Sequence, residues 1–577
     1  MKKKLLPALI VTGLIILVVI IMGITALINK YTPTKKTEDL KEYFNISSDD
    51  EVALIVNNEL SDYKAKIIDK KIYVDYKFVH DSLNSRFYWD ANENVLLYTT
   101  ASDIISAAAD SNSYSVTKQT NDFGYPIVKA TSDSALIALD YVKQYSNITF
   151  KSYDDPARIV ITSKWDEIDS ATVSKSTQVR VKGGIKSPIL KEVKKDDKIT
   201  ILDSGDKWDK VATEDGVIGY IKRKALSESK KTKLTNPDYE EETFTHIKKD
   251  KDICLAWNQV TSQSANSKVP QVISSTKGIN VMSPTWFYLN DNNGNLADIA
   301  SKDYVSYCHS QGIEVWGLFS NFENTDVDAA YVLTHTSTRT TLINQIMSAA
   351  FNYELDGVNI DFENITEAAY GDSYIEFIRE LSIKCHNNGI SLSVDVTVPA
   401  SFNKFFNRSD MAKFADYIVI MGYDEHYKGS DAGSVSSIPW VTEGVESTLK
   451  EVPADQIILG MPFYTRIWEL TPKEDDDAVT DTEDQSKYTV ASQVYSMDAA
   501  AAQLATNNAT AALDEKSGQN YAEWSASNKL YKVWLEDSTS LEKRLKLVDD
   551  NKLAGAAFWK LGFENSSVWD TVIKYLD

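Results

Sequence analysis

Asn359, Asp361 and Glu363 are spaced two residues apart in the run Asp356-Gly357-Val358-Asn359-Ile360-Asp361-Phe362-Glu363, with apolar residues between them. Side chains alternate faces along an extended strand, so these three polar groups share one face and Val358, Ile360 and Phe362 share the other. Carboxyls two residues apart lie roughly 7 Å apart at Cβ. Two acids at that separation can act on one sugar ring.

A strand with a polar inner face and an apolar outer face suits a (β/α)₈ barrel. There the outer side packs under helices, and the inner side supplies reactive groups near the carboxyl end. From Asp252 onward, apolar strand-like runs alternate with helical patterns, as a parallel barrel requires. The eight strands are expected to begin near Ile253, Ile279, Ile313, Gly357, Ile390, Tyr417, Ile457 and Ala554. A segment of roughly 90 residues separates the last two, long enough to hold a small α+β insertion at about 470–545.

The octapeptide resembles the Asp-x-x-Asp-x-Asp-x-Glu signature of glycoside hydrolase family 18, the chitinase-like enzymes, with Asn359 in place of the second acid. Met421-Gly422-Tyr423-Asp424, Gly460-Met461-Pro462-Phe463-Tyr464 and Gly555-Ala556-Ala557-Phe558-Trp559 resemble the ends of the family's sixth, seventh and eighth strands, in that order. The resemblance covers about 325 residues and is nearest to the spore-cortex and peptidoglycan-lytic branch.

It implies cleavage of a β-linked N-acetylglucosamine glycan, with the substrate's own acetamido oxygen as nucleophile. Glu363 would be the acid and later the base, Asp361 would hold the acetamido N–H, and Tyr423 would bind the acetamido group from the opposite side. Asp356, Asn359, Met421, Asp424, Tyr464, Arg466 and Trp559 form the expected substrate-binding set. Trp559 would be the floor under the sugar, and Asp356, off the parity of the others, would cap the strand's entry. With an amide at 359, Asp361 is expected to stay ionised and to be oriented by Asn359. Glu425 flanks the cleft by position. Trp286 and Trp316 either extend the groove or pack in the core.

Peptidoglycan is the favoured substrate. A chitinase or chitodextrinase, or a catalytically silent glycan-binding lectin, are the alternatives.

The length of 577 residues suggests several domains. A net charge of −22 without a basic stripe argues against a nucleic-acid partner. Lys2, Lys3 and Lys4 precede an apolar run from Leu5 to Ile28, long enough to span a bilayer. It reads as an uncleaved single-pass anchor, residues 1–30, with the catalytic domain outside the cell and 31–49 as a tether.

Residues 50–165 read as a small α+β region resembling the stalk-like amino-terminal domain of copper amine oxidases. Within it, Ser134–Val142 is expected to be helical. Residues 170–228 resemble a bacterial SH3-like β-barrel, and 229–245 read as a linker to the hydrolase domain, 246–577.

Cys254, Cys308 and Cys385 cannot form a disulfide framework and are expected as buried thiols. The six histidines lack metal-ligand spacing, so neither metal nor cofactor is expected. Glu474–Asp477 reads as a solvated loop rather than a calcium site. A monomer is expected.

Overall fold

The computed structural model of the chain describes residues 5–363, 365, 370–473 and 485–576. It divides into two compact units, one of residues 1–89, 107–114 and 121–241, the other of residues 90–106, 115–120 and 242–577.

In the second unit, eight parallel strands close into a barrel: β1 (Ile253–Asn258), β2 (Val281–Leu289), β3 (Glu314–Ser320), β4 (Gly357–Asp361), β5 (Ser391–Thr397), β6 (Tyr417–Met421), β7 (Ile457–Pro462) and β8 (Gly555–Trp559). Neighbours pair in chain order, and β1 closes the ring on both β2 and β8. The strand starts agree with the sequence reading to within two residues. This is the expected mixed α/β class with a TIM barrel.

Side-chain parity divides the barrel into two apolar layers. Val358, Ile360, Phe362, Leu392, Val394, Ile418 and Ile420 point outward into a continuous core beneath the helices. Leu255, Trp257, Trp316, Leu318, Tyr417, Val419 and Ala557 fill the interior. Trp316 is fully buried and stacks on Tyr417 at 5.6 Å. Trp286 is also fully buried, its indole N–H donating to Asn266 at 2.8 Å. Both tryptophans are therefore core, and neither extends the groove.

Between β7 and β8 lies the expected insertion, a five-stranded antiparallel sheet with the helix Met497–Thr506. Its first strand, Tyr464–Pro472, begins six residues earlier than the sequence reading placed it. Glu474–Asp477 lies outside the described residues.

Residues 90–106 belong with the barrel rather than with the 50–165 region where the sequence reading put them. Polar contacts explain this. Asp90 accepts from the Thr336 backbone N–H and hydroxyl, both at 2.6 Å, and Thr99 donates to buried Glu376 at 2.8 Å.

In the first unit, a seven-stranded sheet includes Glu51–Val56, Lys71–Asp75 and Arg158–Thr162. The stretch expected to be helical from Ser134 is a strand over Ala135–Ala138, and only Leu139–Gln144 is helix. Ala135 and Ile137 on one face and Ala138 on the other are fully buried in that strand. A second seven-stranded sheet, antiparallel throughout, runs from Glu167 to Lys233. Lys230–Lys233 pairs with Glu167–Thr172 and so is strand rather than linker. The helix Leu5–Tyr31 contains a segment, Pro7–Tyr31, long and apolar enough to cross a membrane. All three cysteines are buried free thiols.

Gly357 lets β4 pass close to the Trp316 indole. A Cβ there would lie 2.5 Å from the Trp316 indole, which other interior side chains hold in place. Gly357→Ala is therefore expected to destabilise the barrel by about 1–3 kcal/mol, the usual cost of overpacking. Thermal unfolding of the variant against wild type checks it.

Candidate active site

A groove of about 570 Å³ opens at the carboxyl ends of the strands. β4 brings Asp361 and Glu363 to its base, β6 and the turn after it bring Met421, Tyr423 and Asp424, β8 brings Trp559, and Tyr464 enters from the first insertion strand. Asp361 is 4 % exposed, whereas Glu363, just past the strand's end, is open to solvent. The Tyr464 hydroxyl donates to Asp424 at 2.6 Å. Trp257 packs edge-on to both Tyr423 and Trp559, at 6.4 and 5.8 Å between centroids. The three rings make an apolar wall beside the acids.

Asn359 does not reach this groove. It is fully buried, and its amide is saturated: Oδ1 accepts from the Trp257 indole at 2.9 Å and the Ser283 hydroxyl at 3.0 Å, while Nδ2 donates to Ser393 at 3.1 Å and Asp395 Oδ1 at 2.7 Å. An indole N–H can only donate, so the amide oxygen must face Trp257 and the NH₂ must face Asp395. Asn359 thus positions a groove tryptophan and a second aspartate, and does not itself bind substrate or orient Asp361.

Asp356 is also displaced from the expected set. It lies at the amino end of β4, where its carboxylate accepts from His309 and from the Val315 backbone N–H, both at 2.8 Å. That is the strand-entry role its parity suggested. Arg466 does not line the groove but stands 3.8 Å from Asp424. Glu425 lines it, its carboxylate engaged by Ser437 at 2.7 and 2.9 Å.

The sequence reading missed Asp395, Glu323, Trp257, Phe402 and Tyr427, all of which line the groove. Asp395 had a readable signal. In Ser391-Leu392-Ser393-Val394-Asp395-Val396-Thr397 the polar residues again alternate with apolar ones, the pattern that exposed Asp361.

The profile described as Glycosyl hydrolases family 18 matches residues 315–564, from β3 to just beyond β8. This segment is a family 18 glycosidase domain. The chain is 24% identical over 301 residues to the uncharacterized glycosylase YvbX of Bacillus subtilis (strain 168), covering 49% of this chain and 81% of that protein. It is 24% identical over 287 residues to the cortical fragment-lytic enzyme of the same organism, covering 48% of this chain but only 63% of that enzyme's length. In fold, a C-terminal domain from Desulfitobacterium hafniense DCB-2 superposes with a TM-score of 0.50 at 18% identity, covering 57% of this chain and all of that domain.

Within the family 18 domain the acids titrate as a cluster. Burial, then the negative charges of Asp395, Glu363 and Glu323, holds Asp361 well above the ordinary carboxylate range. Burial likewise holds Asp395 far above it, against the hydrogen bond from Asn359. Asp361 was expected to stay ionised, but its surroundings work against that: the amide at 359 removes one neighbouring charge, and Asp395 on the adjacent strand supplies another. Protein packed around the Glu363 carboxyl, then Asp424 and Glu323, raises its pKa too. Tyr423 is held well above a phenol's usual value, first by burial and then by Asp361, so its hydroxyl stays a donor.

Raised folded-state pKa values mean that the folded chain binds more protons than the unfolded one between the two values. The stability these groups contribute is complete below about pH 4, the unfolded carboxylate range, and is lost as pH climbs toward the folded values. Asp395→Asn removes one such group without changing shape. The variant should melt close to wild type at pH 4 and above it at pH 8. Melting curves at both pH values test this, and a difference independent of pH would refute it.

Proposed function

We propose that the chain is a membrane-anchored extracellular glycosidase that cleaves β-linked N-acetylglucosamine glycan, with peptidoglycan as its substrate, by substrate-assisted retaining catalysis. The observation that carries this reading is the arrangement at the end of β4. One carboxyl, Glu363, is open to the groove and raised in pKa, and it stands two residues from a buried aspartate beneath an aromatic wall.

Glu363 acts as the proton donor to the leaving oxygen, and the upward shift of its pKa favours the protonated form a donor needs. It then takes a proton from the water that opens the intermediate. Asp361 accepts the acetamido N–H and turns the carbonyl oxygen toward the anomeric carbon. Tyr423 donates its O–H to the acetamido group, and Trp559 with Trp257 supports the apolar face of the ring. With Asp361 engaged by the acetamido N–H, the acetamido oxygen is the nucleophile in this reading.

The choice of peptidoglycan rests on the likeness to a cortical fragment-lytic enzyme and on the apolar helix near the amino terminus. In this reading the helix is an uncleaved anchor, the Glu167–Lys233 sheet is an SH3-like module that contacts the wall or acts as a spacer, and the 50–165 region is a stalk. The enzyme works as a monomer and needs no metal or cofactor.

Glu363→Gln should fold normally and lose about 10²–10⁴-fold in turnover, the usual contribution of an acid–base group. Near-normal turnover on an unactivated glycan would remove Glu363 from the mechanism. Purified peptidoglycan should yield new reducing ends, identified by mass spectrometry, faster than chitin oligomers do. The reverse preference would make the enzyme a chitinase. The protein should also fractionate with membranes and keep Met1, whereas recovery from the medium with a new amino terminus near residue 27 would refute the anchor.

A further inference from the structure

Asp395 has no place in the signature that identified the site, yet the register of β4 and β5 carries it alongside Asp361. β4 and β5 pair in parallel with Asn359 beside Ser393 and Ile360 beside Val394. One more residue in that register sets Asp361 beside Asp395. Adjacent strands lie about 4.8 Å apart and the two side chains share the inner face. Asp361 is 4 % exposed and Asp395 3 %, and Asp361 Oδ1 has no hydrogen-bond partner among the described residues. Asn359 fixes the other aspartate, its NH₂ donating to Asp395 Oδ1.

We propose that Asp395 is the proton-holding partner of Asp361: the two carboxyls share one proton, which lies on Asp361 in the free enzyme and passes to Asp395 as positive charge develops on the substrate. Two buried carboxyls side by side resist double ionisation, and in the proposed state one proton is held between them, leaving a single negative charge on the pair. In the free enzyme the hydrogen bond from Asn359 favours that charge on Asp395. When the acetamido group attacks the anomeric carbon and the leaving oxygen takes the proton of Glu363, the resulting ring is cationic. An anionic Asp361 then stabilises it. The proton leaves Asp361 for the Asp395 carboxylate and returns when water opens the intermediate, so the pair neither gains nor loses a proton over the cycle.

Several titratable groups face the pair. Glu363 and Glu323 carry like charge, Tyr374 on the helix Gly371–His386 and Tyr423 after β6 present phenols, and Asp424 acts on Glu363. None of them is hydrogen-bonded to Asn359, as Asp395 is.

Asp395 acts through Asp361 and is thus a positioning residue. The inference rests on the reading that the acetamido oxygen is the nucleophile. The experiment compares kcat, KM and their pH profiles for wild type, Asp395→Asn, and the exchange variant Asn359→Asp with Asp395→Asn, all as the full-length protein. Asp395→Asn keeps an acceptor for the Asn359 NH₂ and therefore the fold, which melting curves verify. Its kcat should fall by about a hundredfold or more, with KM little changed and the acid limb of kcat against pH displaced. The exchange variant, which moves the second carboxyl to the other side of the same hydrogen bond, should recover much of the lost kcat.

A wild-type kcat and unshifted acid limb in Asp395→Asn would overturn the proposal. So would a loss of kcat that leaves the limb in place and that the exchange does not repair, which marks a structural role. Fully deacetylated glucosamine polymer separates this from failure of the underlying mechanism. If wild type cleaves it as fast as the acetylated glycan, the substrate-assisted reading itself falls, whatever Asp395 does.

Discussion

The amide of Asn359 is the interaction on which the site's geometry depends. It sits at the centre of the barrel, out of reach of water, with each of its four hydrogen-bonding positions filled by a different partner. A buried amide so satisfied has one orientation, because rotating it would face N–H against the indole N–H of Trp257 and leave Asp395 opposite a lone pair. It therefore fixes a residue on β1, one on β2 and two on β5 relative to β4. A carboxylate in its place could accept from Trp257 and Ser283 but could donate nothing to Asp395 unless protonated.

Around that centre, the division between inner and outer faces does most of the remaining work. The outer face of the strands is apolar and feeds the core under the helices. The inner face changes character along the axis. At the floor it is filled by Trp316 stacked on Tyr417, and near the top it becomes polar, with the aspartates shielded from solvent and Glu363 just beyond them. The gradient has a chemical consequence. A deep aspartate pair resists ionisation, while the outermost acid stands open to the groove.

Much of this was legible in the sequence because it depends on a period of two. The alternation in 356–363 gave the faces of β4, placed Asp361 and Glu363 inward, and put Asp356 at the strand entry. The apolar runs gave all eight strand starts. Parity gives the face of a residue but not its depth, and depth decided the fate of Asn359: the same alternation that pointed it inward left it one layer below the groove. Arg466 also left the expected substrate-binding set, since the insertion strand that carries it keeps it out of the groove lining. The stretch from Ser134 shows a further limit. Its apolar residues suit a helix or a strand equally, and pairing with Lys71–Asp75 and Val128–Ala130 makes it a strand.

The sequence by itself determined the fold class, the strand that carries the acids and the identity of the outermost one, because each follows from local alternation and from motifs within a single strand. Only the tertiary structure decided which residues are neighbours across strands. Asp361 and Asp395 are 34 positions apart in the chain and adjacent through the register of two parallel strands. Register in a parallel barrel is set by the packing of every helix and strand around the ring, so no segment of sequence contains it. The protonation state of the site, which depends on that adjacency and on burial, became readable only once the barrel was closed.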